Sequence, residues 1–347
     1  MSAKPKNIGT NALALGLVAA AVGLLVFKHH QTLDTDAKVR LLNVSYDPTR
    51  ELYAQLNPRF VAGRKKETGE SVAIEQSHGG SSRQARSVAD GTEAADVVTL
   101  ALPSDIDSLR ARGMIADDWR TAFPNNSQPY YSTIVFVVRR GNPKNIHDWD
   151  DLAGSGIEVV TPNFHTSGNG KLSLLAAWGA VLNRGGNQAQ ALDLVTRIYR
   201  NVSHQGEGAR EAATTFELAK EGDVQLTWEN EAIREVAESA GELVIVYPPA
   251  SIRAEPSVAV VSLNVAKHHT EATARAYLNF LFSDEAQEIL ADDGYRPGNT
   301  DILMKHQNLL PRMTLFSVTT LARDWNDAQE KFFGDNGLFN ALHAGAQ

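Results

Sequence analysis

No cysteine occurs in the 347 residues. That excludes disulfides, thiolate metal sites, a cysteine nucleophile and a lipid anchor carried on cysteine. Positive charge is also short: 33 Lys and Arg stand against 41 Asp and Glu, a net charge of −8. A nucleic-acid surface needs a basic stripe, so that class is set aside. Any anion bound here must be held by a local site, not by a general positive field. The chain also lacks a G-x-S-x-G elbow and a closely spaced set of histidines and carboxylates, the equipment of a hydrolase. Low-complexity linkers and internal repeats are missing too. The length favours two domains, and short connections between them suit a hinge better than a floppy tether.

What is present begins with a compartment signal. Lys4 and Lys6 precede the uncharged segment 11–27, "NALALGLVAAAVGLLVF". A basic start followed by an apolar run is the layout of an export signal, and the run reaches the lower length for a membrane-spanning helix. Two readings stay open for residues 1–37: a cleaved signal peptide, or an uncleaved anchor with the body outside the cytoplasmic membrane. Either way the body is expected in the periplasm.

From residue 38 onward short apolar strands alternate with amphipathic helices. "RLLNVSYD" (40–47) reads as a strand, and 49–69 as a helix with Leu52, Leu56 and Phe60 on one face. "SVAIEQSHGG" (71–80) is a second strand, and the next helix opens on Ser81. "ADVVTLALPSDIDSLRARGMI" supplies a third strand and helix. This rhythm predicts mainly parallel sheets covered by helices. "YYSTIVFVVRRGNP" breaks it, and "DWDDLAGSGIEVVTPN" restarts it as a second α/β unit. The β-branched, proline-rich stretch from 241 reads as a return to the first unit. The tail around "SVTTLARDWNDAQEKFF" reads as helix.

In open α/β sheets ligands sit beyond the carboxyl ends of the strands, where loops lead into helices. The first N–H groups of a helix have no partner inside it and can point at an anion. Three loops have suitable composition: Asp47-Pro48-Thr49-Arg50, Gly79-Gly80-Ser81-Ser82 and Thr166-Ser167-Gly168-Asn169-Gly170. Each alone is ordinary turn and cap chemistry. Two in one half and one in the other suggest a shared anion cleft. Adjacent histidines such as His268-His269 make poor chelates, and His78 is expected to fix its loop through a ring hydrogen bond.

The motifs "NVSYDPTRELY", "QSHGGSSRQARSV", "YSTIVFVVRRGNPKNIHDWDDL", "TPNFHTSGNGK", "TWENEA" and "IRAEPSVAVV" together resemble the periplasmic sulfate-binding proteins of sulfate/thiosulfate ABC importers, from about Leu41 onward. The resemblance implies a type II periplasmic-binding-protein fold: two α/β lobes, a hinge of crossing strands, and a dianion trapped between them. It implies these donors: the backbone N–H of Asp47 and of Ser81, Ser167 through hydroxyl and backbone, the N–H groups of Gly168, Asn169 and Ala209, and the indole N–H of Trp228. The Asp47 carboxylate is expected to turn away from the anion, and Arg83, Arg86 and Arg210 to sit in ion pairs or face solvent.

One departure stands out. Where many such binders have a glycine pair after the serine, this chain has Gly168-Asn169-Gly170, which puts pocket width or the sulfate/thiosulfate preference in question. The expected division is 38–120 with 229–300 as lobe 1, and 121–228 with 301–347 as lobe 2. The expected function is a monomeric, non-catalytic receptor for sulfate or thiosulfate, without metal or cofactor. It would deliver its ligand to an ABC permease with its ATPase subunits. The alternatives are a membrane-anchored anion sensor, or a binder of another tetrahedral oxyanion such as molybdate or phosphate.

Overall fold

The computed structural model describes residues 37–342. The apolar segment 11–27 lies outside the described residues. Among those described, no helix is long and apolar enough to cross a membrane.

Two sheets organise the chain. The first contains Val39–Tyr46, Val72–Gly79, Val97–Leu100 and Ser257–Val260. Val39–Tyr46 runs parallel to both of its neighbours, while Ser257–Val260 joins Val97–Leu100 antiparallel. The second sheet has five strands. Val159–Pro162 lies parallel to Val202–Gly206 and Val224–Trp228. Ile134–Arg139 pairs antiparallel with both Val224–Trp228 and Leu243–Val246. Central strands are buried and read as continuous apolar runs, as strands covered on both faces should.

Helices follow the expected pattern. Arg50–Thr68 buries Leu52, Leu56 and Phe60 and ends at Gly69, whose φ of 72° is the left-handed C-cap that glycine tolerates. Gly168–Asn183 is buried from Gly168 to Val181 and carries a single charged residue, Lys171. Trp178 of this helix meets Phe332 and Phe339 edge-on, with ring centroids 5.1 and 5.7 Å apart.

The expected division at residue 228 does not follow the sheets. Leu243–Val246 belongs to the second sheet, where it provides an edge partner for Ile134–Arg139, and the chain re-enters the first sheet only at Ser257. A Val/Ile-rich strand carries no mark of which sheet it will edge. Nor is the tail one helix of the second lobe. It contains Thr314–Phe316, a four-residue helix Trp325–Ala328, and a π-helical turn Gln329–Phe333. Asn326 bonds to Asp107 beside the first sheet while Phe332 packs on Trp178 beside the second, so the tail spans both.

Between the sheets the chain forms short pairings. Tyr130–Tyr131 pairs with Arg296–Pro297, Ala250–Ile252 with Thr314–Phe316, and Ser132 with Ala254. Beside them Arg296 makes a bidentate pair with Glu229, at 2.6 and 2.7 Å, with both side chains buried.

Candidate functional site

Five strands of the two sheets end in loops that face one another. Val39–Tyr46 runs into a 3-10 turn, Asp47–Thr49, in which proline occupies a position that needs no N–H. The Thr49 hydroxyl donates to Tyr46 O at 2.7 Å and so holds the turn against its strand. Val72–Gly79 leads through Gly80 into the helix Ser81–Ala89. In the second lobe, Val159–Pro162 leads to Ser167, the N-cap of Gly168–Asn183. Val202–Gly206 leads to Gly208, the N-cap of Ala209–Glu217. Val224–Trp228 ends at Trp228, the N-cap of Glu229–Glu238. Every one of these is a carboxyl end of a strand.

Glycines measure how closely the lobes meet. A Cβ on Gly80 would stand 2.4 Å from Thr166 O and 2.8 Å from Glu207 O, both in the other lobe. One on Gly168 would stand 2.5 Å from Ala101 Cβ and 3.3 Å from Ser81 Cβ. One on Gly208 would meet the Asp47 carboxylate at 2.0 Å. The Tyr46 and Trp228 rings lie 5.2 Å apart across the same gap. Asp47, Ser81, Ser167, Gly168, Asn169, Ala209 and Trp228 are therefore gathered at one interlobe cleft. The helix starts there leave the N–H groups of Ser81, Gly168, Asn169 and Ala209 without intrahelical partners.

Two details differ from expectation. The Ser167 N–H donates to Asn163 O at 2.9 Å to close its own loop, so the backbone donor expected there is already engaged. Only the hydroxyl remains. The Asp47 carboxylate lies across the cleft against Gly208, beside the start of the helix Ala209–Glu217. Burial pushes its pKa up, against the pull of Arg50, Arg210 and Arg83.

The Asn169 side chain leaves the cleft and turns to the sheet, where Nδ2 donates to Leu226 O at 3.0 Å. The departure from a glycine pair therefore places no side chain between the donors. Gly170 cannot be replaced so easily, since a Cβ there would lie 2.4 Å from Pro162 O.

Charged groups lie behind the loops and tie the lobes together. Arg210 donates to Glu51 at 2.8 and 2.9 Å, and Arg234 approaches the same carboxylate at 3.6 Å. Arg234 also pairs with buried Glu231 at 2.7 Å. Burial raises the Glu231 pKa to about 7 in spite of both arginines. Arg86 donates to His165 O, and the Arg83 N–H to Thr166 O, each at 3.2 Å. Buried Lys171 crosses to Ser82 Oγ at 2.8 Å and stands 3.7 Å from Asp105, which accepts the hydroxyls of Ser81 and Ser82. His78 is held neutral at pH 7, since burial, reinforced by Arg50, depresses its pKa to about 4. Its Nδ1 is buried without a hydrogen-bond partner, so the expected loop-fixing bond is not formed through that atom.

Glu51, Asp105 and Lys171 were not singled out from the sequence. Lys171 carried a usable signal, as the one charge in an otherwise apolar helix.

A cleft lined by helix N-termini from two α/β lobes is matched by similarity across the chain. Residues 41–296 fit the family model described as bacterial extracellular solute-binding protein. The chain belongs to that family. A sulfate-binding protein of Salmonella typhimurium is 48% identical over 306 residues, 88% of this chain and 93% of that protein. A thiosulfate-binding protein of Pseudomonas aeruginosa is 45% identical over 306 residues, covering 88% and 92%. Among solved structures, the sulfate-binding protein SubI of Mycobacterium tuberculosis superposes with a TM-score of 0.77 at 33% identity, covering 85% of this chain and 99% of that one. As a family member the chain has the two-lobed mixed α/β fold of periplasmic binding proteins.

Proposed function

We propose that this protein is an extracytoplasmic receptor that traps sulfate, or thiosulfate, between its two lobes and delivers it to an ABC permease with its ATPase subunits. One observation carries the reading: helix N-termini from both lobes meet at a single cleft, with Ser81 against Gly168 and Asp47 against Gly208. The naming of relatives as sulfate- and thiosulfate-binding proteins agrees with it.

The donors are the N–H groups of Asp47, Ser81, Gly168, Asn169 and Ala209, the Ser167 hydroxyl and the Trp228 indole. Hydrogen bonds to a charged partner contribute about 1.5–3 kcal/mol each. Together they exceed the cost of immobilising a small anion only because the folded loops hold them in place beforehand. Selectivity follows from what such a site lacks. Sulfate carries no proton at neutral pH, whereas phosphate carries at least one. The Asp47 carboxylate is an acceptor near the donors, so selectivity against phosphate requires its free lone pairs to stay turned from the bound anion. Leaving the phosphate proton unpaired costs about 1–3 kcal/mol.

Closure is a hinge motion about the short pairings at 130–132, 250–254, 296–297 and 314–316, with the bound anion bridging both lobes. The protein acts as a binder and not as an enzyme, and one copy of the chain supplies both lobes. It works in the periplasm. Calorimetric titration of protein refolded free of anion tests the reading. Sub-micromolar 1:1 binding of sulfate or thiosulfate, with no heat from phosphate, is expected. Binding led by phosphate or molybdate would overturn the ligand assignment, and no binding would overturn the receptor reading.

A further inference from the structure

Asn169 is flanked by two glycines, each required by a close approach: Gly168 to Ala101 across the cleft, and Gly170 to Pro162 O. Glycine leaves a backbone unusually free, so a helix that starts Gly-Asn-Gly has a loose first turn unless something anchors it. Lys171 of the same turn reaches across to Ser82 in the other lobe, whereas the Asn169 side chain anchors the turn within its own lobe. It is 1% exposed, and its Nδ2 donates to Leu226 O at 3.0 Å and lies 3.3 Å from Ser173 Oγ. Leu226 sits just beyond the last paired residues, Val160 and Gln225, of the ladder between Val159–Pro162 and Val224–Trp228. The amide thus ties the first turn of the helix Gly168–Asn183 to the strand Val224–Trp228, just past the point where that strand's pairing with Val159–Pro162 stops. Two residues further on is Trp228.

The opposite end of the same amide shows why it is there. Asn169 Oδ1 is buried with no hydrogen-bond partner. An orphaned acceptor is unfavourable, so a residue serving only to fill space would be apolar. The contacts this side chain makes are made by its NH2.

We propose that Asn169 is a positioning residue that fixes the spacing between the Ser167–Gly168 donors and the Trp228 indole, and thereby favours sulfate over thiosulfate. This rests on the ligand reading above. Thiosulfate replaces one oxygen of the tetrahedron by a larger sulfur on a longer bond, which accepts hydrogen bonds more weakly. A cleft held at fixed spacing suits the smaller anion. Releasing the spacing costs sulfate more than thiosulfate.

The test uses the full chain with Asn169→Ala, and Ser173→Ala as a companion that keeps the Leu226 bond. Titrations with sulfate and thiosulfate are expected to show Asn169→Ala weakening sulfate by about 3- to 10-fold, the worth of one neutral hydrogen bond. Thiosulfate should weaken less, so that the ratio moves toward it. Ser173→Ala should leave the ratio unchanged. Equal weakening of both anions, no weakening, a shift toward sulfate, or the same ratio change in Ser173→Ala would each overturn the proposal.

A second readout needs no anion. In ligand-free, 15N-labelled protein the Trp228 indole resonance, assigned through Trp228→Phe, should move or broaden in Asn169→Ala. An unmoved indole would mean that the tie does not reach Trp228, whatever the titrations show. A parent protein that binds neither anion, but whose indole responds, would defeat the ligand reading and leave the tie standing.

Discussion

Gly168→Ala places one methyl group at the meeting point of the lobes. Gly168 is not among the positive-φ glycines, so alanine fits its backbone and the effect is purely steric. The new Cβ would stand 2.5 Å from Ala101 Cβ, whereas carbon atoms pack at about 3.5–4.0 Å. The cleft must therefore open by about 1 Å. Hydrogen bonds near 2.9 Å weaken steeply beyond about 3.2 Å, so an anion held by the second lobe loses reach to the Asp47 and Ser81 N–H groups. Two charge-assisted bonds are worth about 3–6 kcal/mol, or about 10²- to 10⁴-fold in Kd. Titration with sulfate reads the loss, and thermal melting without anion should be nearly unchanged, because the methyl lies between lobes and not in a core. Gly63→Ala is the matched control. Nothing lies within 4 Å of its Cβ, so it should leave binding intact and stabilise the helix by about 0.5–1 kcal/mol. A Gly168→Ala protein binding sulfate within about threefold of the parent would refute the closed-cleft geometry.

Trp228→Phe keeps a ring against Tyr46 while removing the N–H and part of the buried ring system. Sulfate binding should weaken by about 10- to 150-fold in calorimetry, and melting in the absence of anion should fall modestly because the smaller ring leaves a void. Arg296→Met leaves Glu229 buried without its partner and should cost about 3–5 kcal/mol in denaturant unfolding; a loss under 1 kcal/mol would contradict the pairing. His78 gives a pH signature. Its folded pKa, about 4, lies below the ordinary 6.5, so on acidification through that window the unfolded chain takes up a proton that the native state refuses. Stability should fall as pH drops from about 6.5 to 4, by at most about 1.4 kcal/mol per unit. His78→Gln should remove this component, and parallel pH profiles for parent and variant would count against the buried neutral ring.

The strand–loop–helix rhythm was legible because each element carries its own period and its own start and stop residues. Arg50–Thr68 is set by Leu52, Leu56 and Phe60 on one face and Gly69 at its end. The site loops were legible for the same reason, since Gly80, Ser81, Ser167 and Gly168 must be small where two lobes touch. What was hidden depends on partners far along the chain. Glu51 and Arg210 are 159 residues apart, and no local pattern announces that they pair. The engagement of the Ser167 N–H by Asn163 is a matter of loop conformation, which composition does not specify. Leu243–Val246 reads equally well as an edge for either sheet, and only pairing with Ile134–Arg139 decides it.

The central claim is that one anion is held at once by donors from both lobes. Sulfate titrated into uniformly 15N-labelled protein, followed by amide and indole NMR, tests it most directly. The Asp47, Ser81, Gly168, Asn169 and Ala209 amides and the Trp228 indole should all shift, and saturate together at one equivalent. Shifts confined to one lobe, or saturating at different sulfate concentrations, would contradict it.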